Sequence, residues 1–447
     1  MLRRSRLVDA WDRMKSSYWF VPSIMFLGAL ALALLTFRFD LYLNLNDEVA
    51  SPLWFPKFGA DAARSILSML AAGMLTVTGV VFSLTIVALQ LASSQFGPRL
   101  LRTFMTSKGT QVVLGTFTSS FVFYLLIMGT VRAEIGFVPQ VSTATGIVLG
   151  TIDVAVLIYF VHHLATSIRI ESLLDRLNSQ LRSAIDEQFP CEMGEESNAL
   201  PADTPEENAT GVGDRPVRAA RAGYIRHIDA DMLMSTARQH DLVLRVEQQP
   251  GAFVLEGTGL LRAAPGRRVS EQVEQRLREC IILGQDRTPI QDVAFAIQQF
   301  VEVALRALSP GINDPFTAIA CTNRLAEALC VAARRPRPSA RRLDEDGKLR
   351  VIAEPASLQT MAHAAFDPIA RAGGSNGDVA TVVLKSLMAV AACAREADDQ
   401  RDLMHLTREL RQQMLGQMTL ERDRAAVEAD FSHALEQLTN PAAIGSS

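Results

Sequence analysis

The 447-residue sequence has few aromatic residues, 6%, and almost no net charge, −4. Its 44 basic and 48 acidic residues nearly cancel, so the electrostatic footprint of a nucleic-acid binder is missing. The aromatics do not interleave with basic residues, which argues against base stacking as well. Five cysteines, Cys191, Cys280, Cys321, Cys330 and Cys393, show no CxxC spacing. A zinc site or a disulfide framework is therefore not expected, and reduced thiols in a cytoplasmic compartment fit better. Of seven histidines only His162 and His163 are adjacent, and neighbours in a helix point to different faces. There is no Walker sequence, no GxGxxG after a strand, no HExxH, no GxSxG and no kinase signature. No cofactor and no metal are expected, and an enzyme is the less expected class.

What the chain does have is apolar residues, 49% of the total, concentrated before residue 165. About 20 such residues span a bilayer core. Four runs qualify: Tyr18–Phe37, Ser65–Leu91, Gln111–Val131 and Val141–Leu164. The first follows Arg3, Arg4, Arg6, Arg13 and Lys15, which also suits a cleaved signal peptide. Retention is the preferred reading, because small-residue pairs lie inside the run and three more runs follow. Arg99, Arg102 and Lys108 make the second connection basic, whereas the Arg38–Arg64 and Arg132–Gln140 connections are acidic or balanced. Lysine and arginine bias then places both termini in the cytoplasm after four crossings. The expected partner is a lipid bilayer.

The second run is unusually polar. Thr76, Ser83 and Gln90 recur at seven-residue steps, with Gly79 on the same side and Ala72 one turn earlier. Seven residues make nearly two helical turns, so these groups share one stripe. Hydroxyls and amides lose hydrogen bonds in lipid, so the stripe is expected to face other helices or water. In the third run Gly115 and Ser119 have the spacing that lets helices approach closely. In the fourth, Asp153 shares a side with Gly146 and Gly150. A carboxyl at that depth reads either as a proton or cation site or as an acid hydrogen-bonded across a Gly-lined contact, to Thr76 or Ser83.

The remainder reads as a cytoplasmic α+β domain. Residues 165–190 continue the fourth helix as an amphipathic extension, with Leu173, Leu174, Leu177, Leu181 and Ile185 as a self-association surface. Residues 191–218 are an acidic flexible linker. Residues 219–268 alternate in strand fashion around Pro250-Gly251 and form a small β-rich subdomain. Residues 269–440 are helical in pattern, and 441–447 form a frayed tail. Within the helical region, Asp314-Pro315 has the signature of an N-cap and first helical residue. The same amides, with Arg306, Asn313 and Arg324 nearby, also read as an anion or ligand site. The basic loop Arg334–Arg342 reads as a solvated turn or a headgroup contact.

Two segments, FSLTIVALQLASSQFGPRLL at Phe82–Leu101 and DRTPIQDVAFAIQQFVEVALRALSPGINDPFTA at Asp286–Ala318, carry a resemblance. They resemble the bacterial integral membrane family designated domain-of-unknown-function 2254, over nearly the whole chain. The resemblance implies an inner-membrane, multi-pass protein and confers no activity, so no catalytic residue is carried over from it. The expected architecture is thus mostly α, with four transmembrane helices followed by the cytoplasmic α+β domain. The favoured function is an oligomeric conduit for an ion or small solute, with Thr76, Gly79, Ser83, Gln90 and Asp153 as pore or helix-interface candidates. The alternative is a membrane-anchored sensor or scaffold.

Overall fold

The computed structural model describes residues 19–45, 58–96, 108–131, 137–167, 169–188 and 213–439. The basic N-terminus, most of the Arg99–Lys108 connection, the linker at 191–212 and the tail at 441–447 lie outside these. The chain forms two compact units, Met1–Ser172 and Leu173–Ser447.

The first unit contains four apolar helices: α1 at Phe20–Leu45, α2 at Ala60–Phe96, α3 at Lys108–Met128 and α4 at Gln140–Ser167. All four are long and apolar enough to cross a membrane, and so is a fifth, Pro315–Ala333, in the second unit. The count of four is therefore one short of the helices that qualify. Inside the apolar helices the threonines settle their hydroxyls locally. Thr36, Thr76, Thr78, Thr85, Thr116, Thr145 and Thr151 each bond the carbonyl four residues earlier. This back-bonding satisfies a donor that lipid could not.

The unit is organised around α3. It packs against α1, α2 and α4, and its Phe117, Phe123 and Tyr124 are fully buried. Gly115 makes the contact with α1 close: a Cβ there would lie 2.6 Å from Met25 Sδ and 3.2 Å from Pro22 Cα. The first helix also runs past Phe37, the expected end of its span. Asp40 sits in that added turn, 5% exposed, and its carboxylate accepts from Val141 N, Ser142 N and Ser142 Oγ at 2.7, 2.9 and 2.6 Å. An acid that reads as part of a loop is instead the cap of the fourth helix, contributed by the first.

The second unit begins within α5, Ile170–Gln188, a helix distinct from α4. Its expected self-association surface is already covered: Leu173, Leu174, Leu177, Leu181 and Ile185 are at most 3% exposed. Strands then build two sheets. The first has the order β1-β5-β3-β8-β7, from Arg215–Arg218, Gly259–Ala264, Val243–Val246, Leu349–Ile352 and Arg341–Leu343. The second has the order β4-β2-β6, from Phe253–Val254, Gly223–Ile228 and Ile281–Gly284. Helices α6, Ala230–His240, and α7, Glu271–Glu279, pack into the same core through Leu233, Ala237, Val273 and Leu277.

The strands thus exceed the expected 219–268 at both ends. Arg215–Arg218, placed in the linker by its sequence, pairs antiparallel with β5. The hairpin at 341–352, which overlaps the end of the basic loop Arg334–Arg342 and falls in the region read as helical, pairs in parallel with β3 through Leu244 and Val351. Strands of three or four residues offer too few alternations to show a period, and partners distant in sequence, β5 for β1 and β3 for β8, supply the missing hydrogen bonds.

The remaining helices are α8, Val293–Ala307, α9, Pro315–Ala333, α10, Leu358–Gly373, α11, Gly377–Cys393, α12, Ala397–Gln417, and α13, Glu421–Thr439. Asp292, Asp314, Ser357 and Asn376 start α8 to α11 by accepting an amide hydrogen bond from the residue three positions on. Phe300 and Phe366 are fully buried in this helical part. Ion pairs join α5 to α9, Asp175 with Arg324 at 2.8 Å and Arg182 with Glu327 at 3.1 Å, and Asp186 pairs with Arg335 just past the end of α9.

Because Leu181 is fully buried, Leu181→Ala should cost about 2–5 kcal/mol. Thermal unfolding of the full chain in detergent reads this as a lowered transition. A surface used only between copies would leave that transition unmoved in the dissociated chain.

Candidate functional site: a buried carboxylate and an outward polar stripe

Polar chemistry in the first unit divides between two places. The inner one is Asp153 of α4. Its Oδ1 accepts from Ser120 Oγ and its Oδ2 from Tyr124 OH, both at 2.9 Å. Ser120 and Tyr124 stand four residues apart on α3, so one helical turn presents both hydroxyls to one carboxyl group. All three residues are buried, Asp153 being 1% exposed. Two glycines on α4 bring the helices close enough. A Cβ on Gly146 would lie 3.2 Å from Leu67 Cδ2 and 3.5 Å from Tyr124 Cε1, and one on Gly150 would lie 2.9 Å from Leu70 Cδ2.

The partners of Asp153 are therefore on the third helix, and not Thr76 or Ser83 of the second as the sequence suggests. Thr76 bonds the Ala72 carbonyl at 3.0 Å. What α2 brings against Gly146 and Gly150 is apolar, Leu67 and Leu70. Ser120 and Tyr124 are residues that sequence reasoning missed. Their four-residue spacing near the middle of a span was a signal, but which helix they face depends on packing.

The outer place is the stripe on α2. Ala63, Leu67, Ala71, Met74 and Val81 are its buried face. Thr76, Gly79, Ser83 and Gln90 are all exposed, so the stripe points out of the unit. The polar groups of α2 and the carboxylate of α4 are not brought together.

The ligand candidates of the second unit surround the start of α9. Asp314 accepts from Thr317 N at 3.1 Å and from Thr317 Oγ1 at 2.6 Å, which completes a helix cap. Asn313 before it is left-handed, φ 52°, and the loop is tied back to α8 by Asp314 N donating to Ala307 O at 2.8 Å. Arg306 lies at the end of α8 and its carbonyl accepts from Ser309 Oγ at 2.6 Å. Arg324 lies more than two turns into α9, where it pairs with Asp175 and Glu327. Just before α8, Arg287 forks onto the buried carboxylate of Asp292 at 2.8 and 3.0 Å and reaches Gln298 Oε1 at 3.0 Å. Gly251, φ 88°, makes room for that carboxylate, since a Cβ there would lie 2.0 Å from Asp292 Oδ2.

A family model described as "Predicted membrane protein (DUF2254)" matches residues 15–389, across both units. The chain belongs to this family. It is 34% identical over 338 residues to an uncharacterized protein of Mycobacterium bovis, Mb1321c, and to one of Mycobacterium tuberculosis, Rv1290c. The match covers 74% of this chain and 64% of each relative, so the chain spans less than two thirds of their length. No solved structure matches it.

The matched span of this DUF2254 protein contains the Asp153 cluster, the α2 stripe and the Arg287–Asp292 pair. Among the described residues no group of three or more His, Cys, Asp or Glu side chains could hold a metal ion. What the Asp153 cluster can do is hold α3 against α4. Tyr124→Phe should leave one carboxyl oxygen without its donor and cost about 1–3 kcal/mol. Thermal unfolding in detergent checks this, and Asp153→Leu, which strands both hydroxyls, should cost more than Tyr124→Phe.

Proposed function

We propose that this DUF2254 protein is an oligomeric conduit for ions or small solutes in a bacterial inner membrane. The observation that carries the reading is the outward position of Thr76, Gly79, Ser83 and Gln90 on α2. The stripe ends in an amide, and lipid supplies Gln90 with none of the hydrogen-bond partners that its two donors and one acceptor need. The stripe is accommodated when second helices of several copies face one another across a narrow wet path. Four helices are too few to enclose such a path within one copy.

In this reading α1 to α4 cross the membrane and α9 does not. Support comes from the charged side chains midway along α9, where Arg324 and Glu327 make three ion pairs with each other and with α5. Its apolar side is buried, with Cys321, Leu325, Ala328 and Leu329 at 0% exposure. Length and apolarity there describe a core helix of the second unit. Both termini lie in the cytoplasm by lysine and arginine bias, and the second unit assembles or gates the path. Asp153 clamps α4 to α3 and does not line the path.

Purified protein in liposomes should pass common ions or small solutes. Ser83→Leu and Gln90→Leu change exposed positions, so they should reduce the flux several-fold while leaving thermal unfolding unmoved. Flux no greater than that of empty liposomes, across monovalent and divalent ions, would overturn the proposal. It would favour the reading in which the compact second unit is a sensor or scaffold and the apolar helices are its anchor.

A further inference from the structure

We propose that Cys330 and Cys393 form a redox-active dithiol that closes to an intramolecular disulfide when a peroxide oxidises it. The inference is independent of the conduit reading. Cys330 lies near the end of α9, and Cys393 is the last residue of α11, two helices that pack together. Their ends are fastened by a backbone bond, Arg395 N to Ala333 O at 3.0 Å, three residues after Cys330 and two after Cys393. The two thiols are within hydrogen-bonding reach of each other. Both residues are half-buried, so a small oxidant can reach them.

The other described cysteines are differently placed. Cys280 and Cys321 are fully buried, and the Cys280 thiol donates to the Arg276 carbonyl at 3.2 Å. Burial pushes both thiols up to about 12. Cys330 is also pushed up to about 12, first by burial and then by its hydrogen bond to Cys393.

The chemistry balances with hydrogen peroxide as the oxidant. One thiol of the pair, having released its proton to solvent, attacks one peroxide oxygen; the O–O bond breaks and the departing hydroxide takes up a proton to leave as water. That cysteine is then a sulfenic acid. The second sulfur attacks it, an S–S bond forms, the S–O bond breaks, and the oxygen leaves as a second water with the proton of the second thiol. Two thiols lose two hydrogens and one peroxide becomes two waters. Cross-linking positions that are far apart in sequence constrains the unfolded chain, so the product locks the end of α9 to the end of α11.

The full chain in detergent, reduced and then treated with hydrogen peroxide, should yield a Cys330–Cys393 cross-linked peptide by non-reducing mass spectrometry. Reductant should remove it, and Cys330→Ser and Cys393→Ser should each abolish it. Cys191→Ser should leave it intact. The oxidised protein should unfold roughly 5 °C or more above the reduced one. A measurement free of variants is protection of both cysteines from alkylation by phenylarsine oxide, which bridges neighbouring thiols. Sulfinic or sulfonic acid at Cys330 or Cys393 without the cross-link, cross-links that run instead to Cys280, Cys321 or a second copy, or no protection by the arsenical would overturn the proposal.

Discussion

In a span without water every polar group needs a partner supplied by the protein, and the first unit is arranged by that constraint. Asp153 is the most demanding group. A buried carboxyl would be costly alone, yet here each oxygen meets a hydroxyl at 2.9 Å, from two residues on one turn of α3. That fixes the rotation of both helices, because Ser120 and Tyr124 must face α4 while Gly146 and Gly150 allow the approach. With α3 set in this way, its remaining faces receive α1 and α2, through Gly115 against Pro22 and Met25 on one side and Phe117 and Phe123 in the core. Asp40 repeats the solution at the helix end, where one carboxylate takes up three donors at the start of α4.

The second unit solves a different problem. Helices α6 to α11 are started by side-chain caps, and several of its charges join elements. Arg350, 8% exposed as a side chain, is held between Asp344 and Asp241 at 2.7 and 2.8 Å, which ties the β7–β8 hairpin to the end of α6. Asp241 takes the left-handed conformation of a helix cap while it does so. Pairs between solvated side chains contribute little to stability individually. Their value here is positional, since they choose which of several apolar faces meet. The α5–α9 pairs have the same character, aligning two helices whose apolar sides supply the stabilisation.

Much of this is legible in the residues, and the misses have physical causes. The apolar runs before residue 165 mark four helices because runs of about 20 apolar residues are legible without knowing any partner. The caps at Asp314 and Asn376 follow local rules, as does the break near Pro250-Gly251. The ends of α1 do not, because Asp40 looks like a loop acid until the amides of α4, a hundred residues later, are put beside it. The strands at 215–218 and 341–352 fail for the same reason, since their partners are distant in sequence. The composition of α5 reads as a surface for another copy, whereas its leucines are covered within the chain. At Asp153 the residue and the glycines on its face are legible, but the donor helix is not. Choosing α3 over α2 depends on which side of α2 turns inward.

That choice bears directly on the stripe. The Thr76 hydroxyl already bonds the Ala72 carbonyl, so its exposure to lipid carries little penalty. Gly79 has no polar side chain to satisfy. A serine can settle its hydroxyl in the same way as a threonine, whereas an amide has two donors and an acceptor that a helix carbonyl cannot all meet. Leaving such a group unpaired in hydrocarbon costs about 4 kcal/mol or more. Gln90 is therefore the member of the stripe that requires a partner, and it lies one residue from the end of the apolar stretch Ala60–Leu91. Water at the headgroup level satisfies it from that end, and a neighbouring copy satisfies it from the side. If the stripe is wet, polarity has to continue inward from Gln90 through Ser83, a helix face away from any buried leucine. On α2 that face is exposed at Thr76, Gly79, Ser83 and Gln90, so the partner that Gln90 needs comes from outside the first unit.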